Sequence, residues 1–147
     1  MQLAATVATW SKDPSSKVGA VIVGNNHEVR SMGYNGLCRG VDDSITDRHV
    51  RPRKYMWYEH GERNAVYNAA RIGTQIDGCT LYFATTLQGP PCVDCARAII
   101  QSGIRRVVGP PGSDNQNNWA ERWKESLLVS SEMLAEAGVV FEAAKLL

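Results

Sequence analysis

The sequence predicts an α/β protein, a three-layer α/β/α sandwich around a five-stranded mixed sheet, and three observations predict it. Strand-like and helix-like segments follow one another in the order β-β-α-β-α-β-α-β, the alternation that builds layered α/β folds. The first two strands are separated only by a short turn and so pair antiparallel, whereas each later strand is reached through a helix, which calls for right-handed crossovers. The chain has 147 residues, 44% hydrophobic and 21% charged, enough to bury one core without staples. Residues 1–147 are therefore expected to form a single domain.

Residues 3–10 read as a short first helix, stopped by Lys12-Asp13-Pro14-Ser15-Ser16. Val18-Gly19-Ala20-Val21-Ile22-Val23 reads as a buried strand, Gly24-Asn25-Asn26 as a hairpin turn and residues 28–32 as the antiparallel return. Residues 34–58 are rich in Gly, Pro, Asp and Arg and lack periodicity; so long a loop inside a compact domain is usually functional. Ala65, Val66, Ala69, Ala70 and Ile72 make a helical stripe over 62–71, closed by Gly73. Residues 79–84 read as a strand, 92–101 as a helix closed by Gly103, 105–108 as a strand, 119–137 as a longer helix ending at Gly138, and 139–141 as the start of a last strand. No repeat or low-complexity segment interrupts this order.

Charge narrows the class of partner. Sixteen basic and fifteen acidic residues leave a net charge of +1, which argues against the salt-dependent electrostatic footprint of nucleic-acid binders and favours a small substrate. Basic residues concentrate only over 48–54, where Arg48, His49, Arg51, Arg53 and Lys54 flank Pro52. This stretch reads either as a solvated loop or as a source of cations for a phosphate. No apolar run approaches the roughly 20 residues of a membrane span, and the first ten residues lack the pattern of a signal peptide. The expected location is cytoplasmic, and four cysteines, two of them metal ligands, fit a reducing compartment.

The chemistry is concentrated in His60-Gly61-Glu62 and Pro91-Cys92-Val93-Asp94-Cys95. His60, Cys92 and Cys95 are three zinc-type ligands; a structural site would normally use four, and three leave the last tetrahedral position to a water that Zn²⁺ makes nucleophilic near neutral pH. Two thiolates also balance the charge of the ion. Glu62, two residues from His60, would on a helix point about 200° away around the axis, leaving it free to move protons. With Pro91 in the first helical turn, Cys92 and Cys95 at i, i+3 share one face at a helix N-terminus, where the dipole favours thiolates. Cys-x-x-Cys alone could equally be a redox pair or half of a zinc ribbon, but the ribbon's second half is missing. Cys38 and Cys79 stand alone and read as incidental or buried thiols.

His-x-Glu followed by Pro-Cys-x-x-Cys is the signature of zinc deaminases acting on cytosine or adenine, and over about 12–141 the chain resembles the deoxycytidylate (dCMP) deaminases of the cytidine deaminase superfamily. The resemblance rests on Ser11-Lys12-Asp13-Pro14, Lys17-Val18-Gly19-Ala20-Val21-Ile22-Val23, Gly33-Tyr34-Asn35-Gly36, Asp42-Asp43, the two zinc segments with their following residues, and Ile99-Ile100-Gln101-Ser102-Gly103-Ile104. It implies a cytidine deaminase-like fold, Zn²⁺ held by His60, Cys92 and Cys95, and Glu62 carrying protons from the attacking water to N3 of cytosine and to the departing ammonia. It also implies that Asn35 contacts the substrate sugar and that the Gly61 backbone reads the cytosine carbonyl. The residue-level alternative for Asn35 is an Asn tolerated in a tight turn. Lys12, Lys17 or a cation of 48–54 would meet a 5′-phosphate. Gly61 stands where the family usually has Ala, Cys38 where Pro is common, and Asn68 where relatives carry an apolar residue near the pyrimidine 5-position. Family behaviour further implies a homo-oligomer, often a hexamer, with dCTP and dTTP as effectors. Arg71 would serve that regulation or be a solvated cation near a helix C-terminus.

The expected activity is hydrolysis of dCMP to dUMP and ammonia. The alternatives are deamination of dCTP or a 5-substituted dCMP, a nucleic-acid base deaminase disfavoured by the charge balance, and a catalytically dead zinc-binding module, against which an intact Glu62 argues.

Overall fold

The computed structural model describes residues 1–87, 89–111 and 121–144. They form a five-stranded sheet in the order β2-β1-β5-β6-β7, from β1 (Val18–Val23), β2 (Val29–Tyr34), β5 (Thr80–Thr85), β6 (Arg106–Gly109) and β7 (Val140–Ala143). β1 is antiparallel to both β2 and β5, and β5, β6 and β7 are parallel. The mixed sheet is therefore as the sequence predicts. The return strand begins at Val29, one residue later than expected, because His27 takes a positive φ of 66° and lengthens the turn.

Alternate residues of β1 build two cores, as the pleat requires. Val21 meets Ala4 and Val7 of α1 (Gln2–Ala8) and Ala84 on one face. Ala20 and Ile22 face the larger core with Leu81 and Phe83, covered by Ala65 and Ala69 of α3 (Gly61–Ile72), Ala96 and Ile99 of α4 (Val93–Gln101) and Leu134 of α5 (Glu121–Glu136). Burial on both faces explains why β1 is a continuous apolar run rather than an alternating one. The expected start of the last helix, Trp119 and Ala120, lies outside the described residues.

Residues 34–58, which showed no period, hold several elements. β3 (Gly36–Leu37) pairs with β4 (Tyr58–Glu59) as a two-stranded ribbon, with a 3₁₀ turn at Thr46–His49 and α2 at Lys54–Trp57 between them. Elements of two to four residues are too short for a hydrophobic period to register. The segment is tied down instead by Lys54, whose buried ammonium reaches both oxygens of buried Asp13 at 2.8 and 2.7 Å. No described helix is long and apolar enough to cross a membrane.

Two glycines let α1 and the site-bearing α3 lie close on the sheet. A Cβ at Gly19 would stand 2.2 Å from the Ala4 carbonyl of α1, and one at Gly33 2.2 Å from the Ala65 amide of α3. Both obstacles are backbone, so relief requires moving a helix. Gly19→Ala and Gly33→Ala should each destabilise the fold by about 1–3 kcal/mol, read as a lower urea midpoint at unchanged m-value; an unchanged midpoint would show that the helices slide freely.

Candidate active site

Two helix starts meet at one end of the sheet. His60 is the N-cap of α3, with φ −80° and ψ 152°, and Cys92 the N-cap of α4, with φ −65° and ψ 165°. Extended backbone at both positions projects the side chains outward, and neither caps its own helix. His60 Nδ1 lies 3.3 Å from Cys92 Sγ and 3.4 Å from Cys95 Sγ, and the three ligand atoms all fall within 4.8 Å of one another. Zn–S bonds of about 2.3 Å and Zn–N bonds of about 2.0–2.1 Å in a tetrahedron place N and S roughly 3.5 Å apart, so this donor set fits the ion.

Local geometry corrects two expectations. Pro91 is not in the first helical turn; it precedes the N-cap, and the helix begins at Val93. Because His60 is extended rather than helical, the 200° argument does not govern Glu62 either. Glu62 nevertheless lies outside the group of three ligands. It is buried in the first turn of α3, and its Oε2 has no hydrogen-bond partner.

Electrostatics prepare the cluster for a cation. The hydrogen bond from Cys95, followed by the hydrogen bond and charge of His60, outweighs burial and holds the Cys92 thiol at about 4. Burial works against charge on His60, yet the hydrogen bond and charge of Cys92 raise it to about 9. Burial, then the hydrogen bond to Cys92, pushes Cys95 up. Without metal the cluster is thus a thiolate–imidazolium pair beside a neutral thiol. Burial, partly offset by the His60 charge, also raises the Glu62 carboxyl.

A cavity of about 410 Å³ opens onto these groups, within the usual range for small-molecule sites. His60, Glu62 and Cys92 line it together with Phe83, Tyr55 and Trp123. Arg51 and Arg122 also line it, and their guanidiniums lie 5.9 and 5.8 Å from the centroid of the Tyr55 ring. Lys12 and Lys17, the expected phosphate contacts, are exposed and do not line the cavity; Lys12 pairs with Asp43 instead. Lys54 does line it, but its charge is spent on Asp13.

Asn35 lines the cavity and is fixed by five hydrogen bonds. Its Nδ2 donates to Asp13 and the Ser16 carbonyl, its Oδ1 accepts from the Val18 amide, and its backbone bonds Val18 and Ser11. The side chain retains capacity for one further donor at Oδ1. Gly61 is buried between His60 and Glu62 and is not among the cavity-lining residues. Asn68 is displaced from its expected place: it donates to the Met32 carbonyl, accepts from Arg39 and does not line the cavity. Arg71 is exposed in the last turn of α3. Cys79 is buried in the core and Cys38 exposed, both outside the cluster. Arg122 and Trp123 escaped sequence reasoning; the available signal was an arginine in the first turn of a helix, where the dipole disfavours it.

The zinc-binding region of the cytidine and deoxycytidylate deaminases matches residues 1–109, which contain the whole cluster. The chain belongs to this family. The family's metal is zinc, and His60, Cys92 and Cys95 are positioned to hold such an ion. A deaminase encoded in the luxG 3′ region of Aliivibrio fischeri, itself uncharacterised, is 41% identical over 94% of this chain and 86% of its own length. Human deoxycytidylate deaminase is 37% identical over 74% of this chain, which spans 60% of the human protein, and that of phage T4 is 33% identical over 74% of each. Among solved structures, the dCMP deaminase of cyanophage S-TIM5 in complex with dCMP and dUMP aligns with a TM-score of 0.73 at 25% identity, covering 97% of this chain and 92% of that one. At Gly61 the start of α3 packs closely on β1: a Cβ there would stand 2.9 Å from the Val18 carbonyl.

Zinc uptake should release protons. Between about 4 and about 9, Cys92 is already a thiolate while His60 is charged and Cys95 neutral. Each ion bound at pH 7 therefore displaces about two protons, and apparent affinity rises with pH. Calorimetry in buffers of different ionisation enthalpy measures the number; none released would refute the charge assignment. Cys92→Ala and Cys95→Ala should abolish uptake and lower the Tm of the zinc-loaded protein, while Cys38→Ala and Cys79→Ala retain one ion per chain.

Proposed function

We propose that the chain is a zinc-dependent hydrolase that converts dCMP and water to dUMP and ammonia. The observation that carries this reading is the buried Glu62 carboxyl, its Oε2 free of any hydrogen-bond partner, beside His60, Cys92 and Cys95 on the wall of a cavity lined also by Arg51 and Arg122. The family membership and the dCMP- and dUMP-bound neighbour support it. His60, Cys92 and Cys95 would hold Zn²⁺, which when bound lowers the pKa of a water and supplies a nucleophile near neutral pH.

Glu62 does the proton work. Its carboxyl, raised by burial, is a better base than a solvated carboxylate. It takes the proton of the attacking water, delivers it to N3 of cytosine, and returns a proton to the C4 amine as the C–N bond breaks; the water oxygen becomes the C4 carbonyl and ammonia leaves. Phe83 and Trp123 give the cavity apolar walls, which keep these charges out of bulk solvent. The free acceptor capacity of Asn35 suits a sugar hydroxyl, the Gly61 backbone the cytosine carbonyl. Arg51 and Arg122 replace Lys12 and Lys17 as the phosphate partners, and two guanidiniums match a monophosphate dianion. The proposal includes a cytoplasmic location and a homo-oligomer responsive to dCTP and dTTP, with exposed Arg71 available to that regulation.

Glu62→Gln should retain one zinc per chain while kcat falls by at least about 10²–10⁴-fold. Parallel loss of zinc would instead make Glu62 a ligand.

Phosphate recognition predicts that kcat/KM for dCMP exceeds that for deoxycytidine by at least about 100-fold, roughly 2.7 kcal/mol. Arg51→Ala and Arg122→Ala should shrink that ratio chiefly through KM. Ammonia release from dCMP, deoxycytidine, dCTP, 5-methyl-dCMP and a cytosine-containing single strand supplies the comparison. Equal use of nucleoside and nucleotide would defeat the dCMP assignment, and a preference for dCTP or 5-methyl-dCMP would transfer the mechanism to that substrate.

A further inference from the structure

Among the described residues, α4 itself holds the segment that carries Cys92 only through the Ala96 amide, which donates to the Cys92 carbonyl at 2.9 Å. Cys92 occupies the N-cap of α4, but its sulfur is turned to His60 and provides no cap. Pro91 has no N–H, so its carbonyl is its only backbone anchor. Both backbone groups flanking Cys92 are held from α5. Ser126 Oγ accepts from the Val93 amide at 3.0 Å, and Ser130 Oγ donates to the Pro91 carbonyl at 2.6 Å. Ser130 is completely buried, with 0% of its surface exposed. The two serines are one helical turn apart and so share a face, and Trp123, one turn earlier, sets its ring edge against His60 with centroids 6.2 Å apart. All three lie beyond the residues that match the family's zinc-binding region.

We infer that α5 is a clamp for the zinc site, in which Ser126 and Ser130 are positioning residues that hold the Pro91-Cys92-Val93 segment so that Cys92 meets His60 and Cys95 without rearrangement. The inference rests on the zinc reading of that cluster. The hydroxyls do not touch the ligand atoms; they fix the backbone from which one ligand projects. Loss of either bond frees the segment from α5, so that Cys92 is no longer held against His60 and Cys95 and the ion is released faster. Supporting groups of this kind commonly change metal affinity by about 10–100-fold.

The test uses the zinc-loaded full chain and follows zinc transfer to an excess of a chromogenic chelator. Ser126→Ala and Ser130→Ala should each release the ion at least about tenfold faster than wild type, and Ser126→Thr, which keeps a hydroxyl at a half-buried position, should restore slow release. Ser31→Ala is the control. It removes a buried hydroxyl bond of the same kind, to the Ala65 carbonyl at 2.7 Å, so it should lower Tm without speeding release. Should Ser130→Ala not fold, Ser126→Ala and its threonine counterpart decide the matter alone. Release from Ser126→Ala at the wild-type rate, or no faster than from Ser31→Ala, overturns the clamp while leaving the zinc site intact. A wild-type chain that retains no zinc overturns both.

Discussion

Everything in this molecule that bears on chemistry depends on bringing the starts of α3 and α4 to within one coordination radius. His60 and Cys92 are 32 residues apart, and neither segment could hold a metal alone. The sheet provides the common frame: β1 sits between β2, which α3 overlies, and β5, which leads into the Cys92 segment. Gly33 matters because it sets the distance of α3 from that frame. Placing each ligand at an N-cap has a structural consequence as well. Side chains that would ordinarily satisfy the first amides of a helix are diverted to the cluster, so other groups must satisfy or complement those amides. The Val93 amide finds Ser126.

The strands and the grouping of His60, Cys92 and Cys95 are legible in the sequence because each rests on a local or periodic signal. Val18–Val23 is bounded by polar turns and needs no tertiary information, and His-x-Glu with Cys-x-x-Cys names its own chemistry. What was not legible depends on contacts between distant segments. Lys54 was grouped with exposed basic residues of a loop, yet it is buried against Asp13, and nothing within 48–54 distinguishes it from Arg51 or Arg53. Asn68 failed for a related reason. The resemblance places it near the pyrimidine, but α3 packs against β2 and Asn68 donates to the Met32 carbonyl instead.

The Asp13–Lys54 pair shows how a polar network can substitute for hydrophobic packing in a segment that has little of it. Asp13 also accepts from the Ser15 and Ser16 amides and from Asn35, so its carboxylate is shared among three stretches of chain. Burial opposes its charge, but the hydrogen bond from Lys54 and those from Ser15 outweigh burial and keep the carboxyl below its ordinary value. A buried pair of this kind adds little net stability over an apolar one, but losing one partner typically costs roughly 3–5 kcal/mol. Its value here is geometric: it fixes Asn35, the start of α2 and the cavity wall relative to one another.

The same network explains how a chain of net charge +1 can offer a site for an anion. Total charge predicts how a protein meets a polymer, whose phosphates are spread over tens of ångströms. A mononucleotide presents its charge at one point, and only the cations at that point count. Of the lysines and arginines that line the cavity, Lys54 is neutralised by Asp13, and outside it Lys12 is paired with Asp43 and Arg53 with Asp47. Arg51 and Arg122 have no such carboxylate among the described ion pairs and rest against the Tyr55 ring, which orients a guanidinium without cancelling its charge. On the proposed reading, preference for a small phosphorylated ligand over a nucleic acid rests on where neutralisation stops rather than on an excess of positive residues.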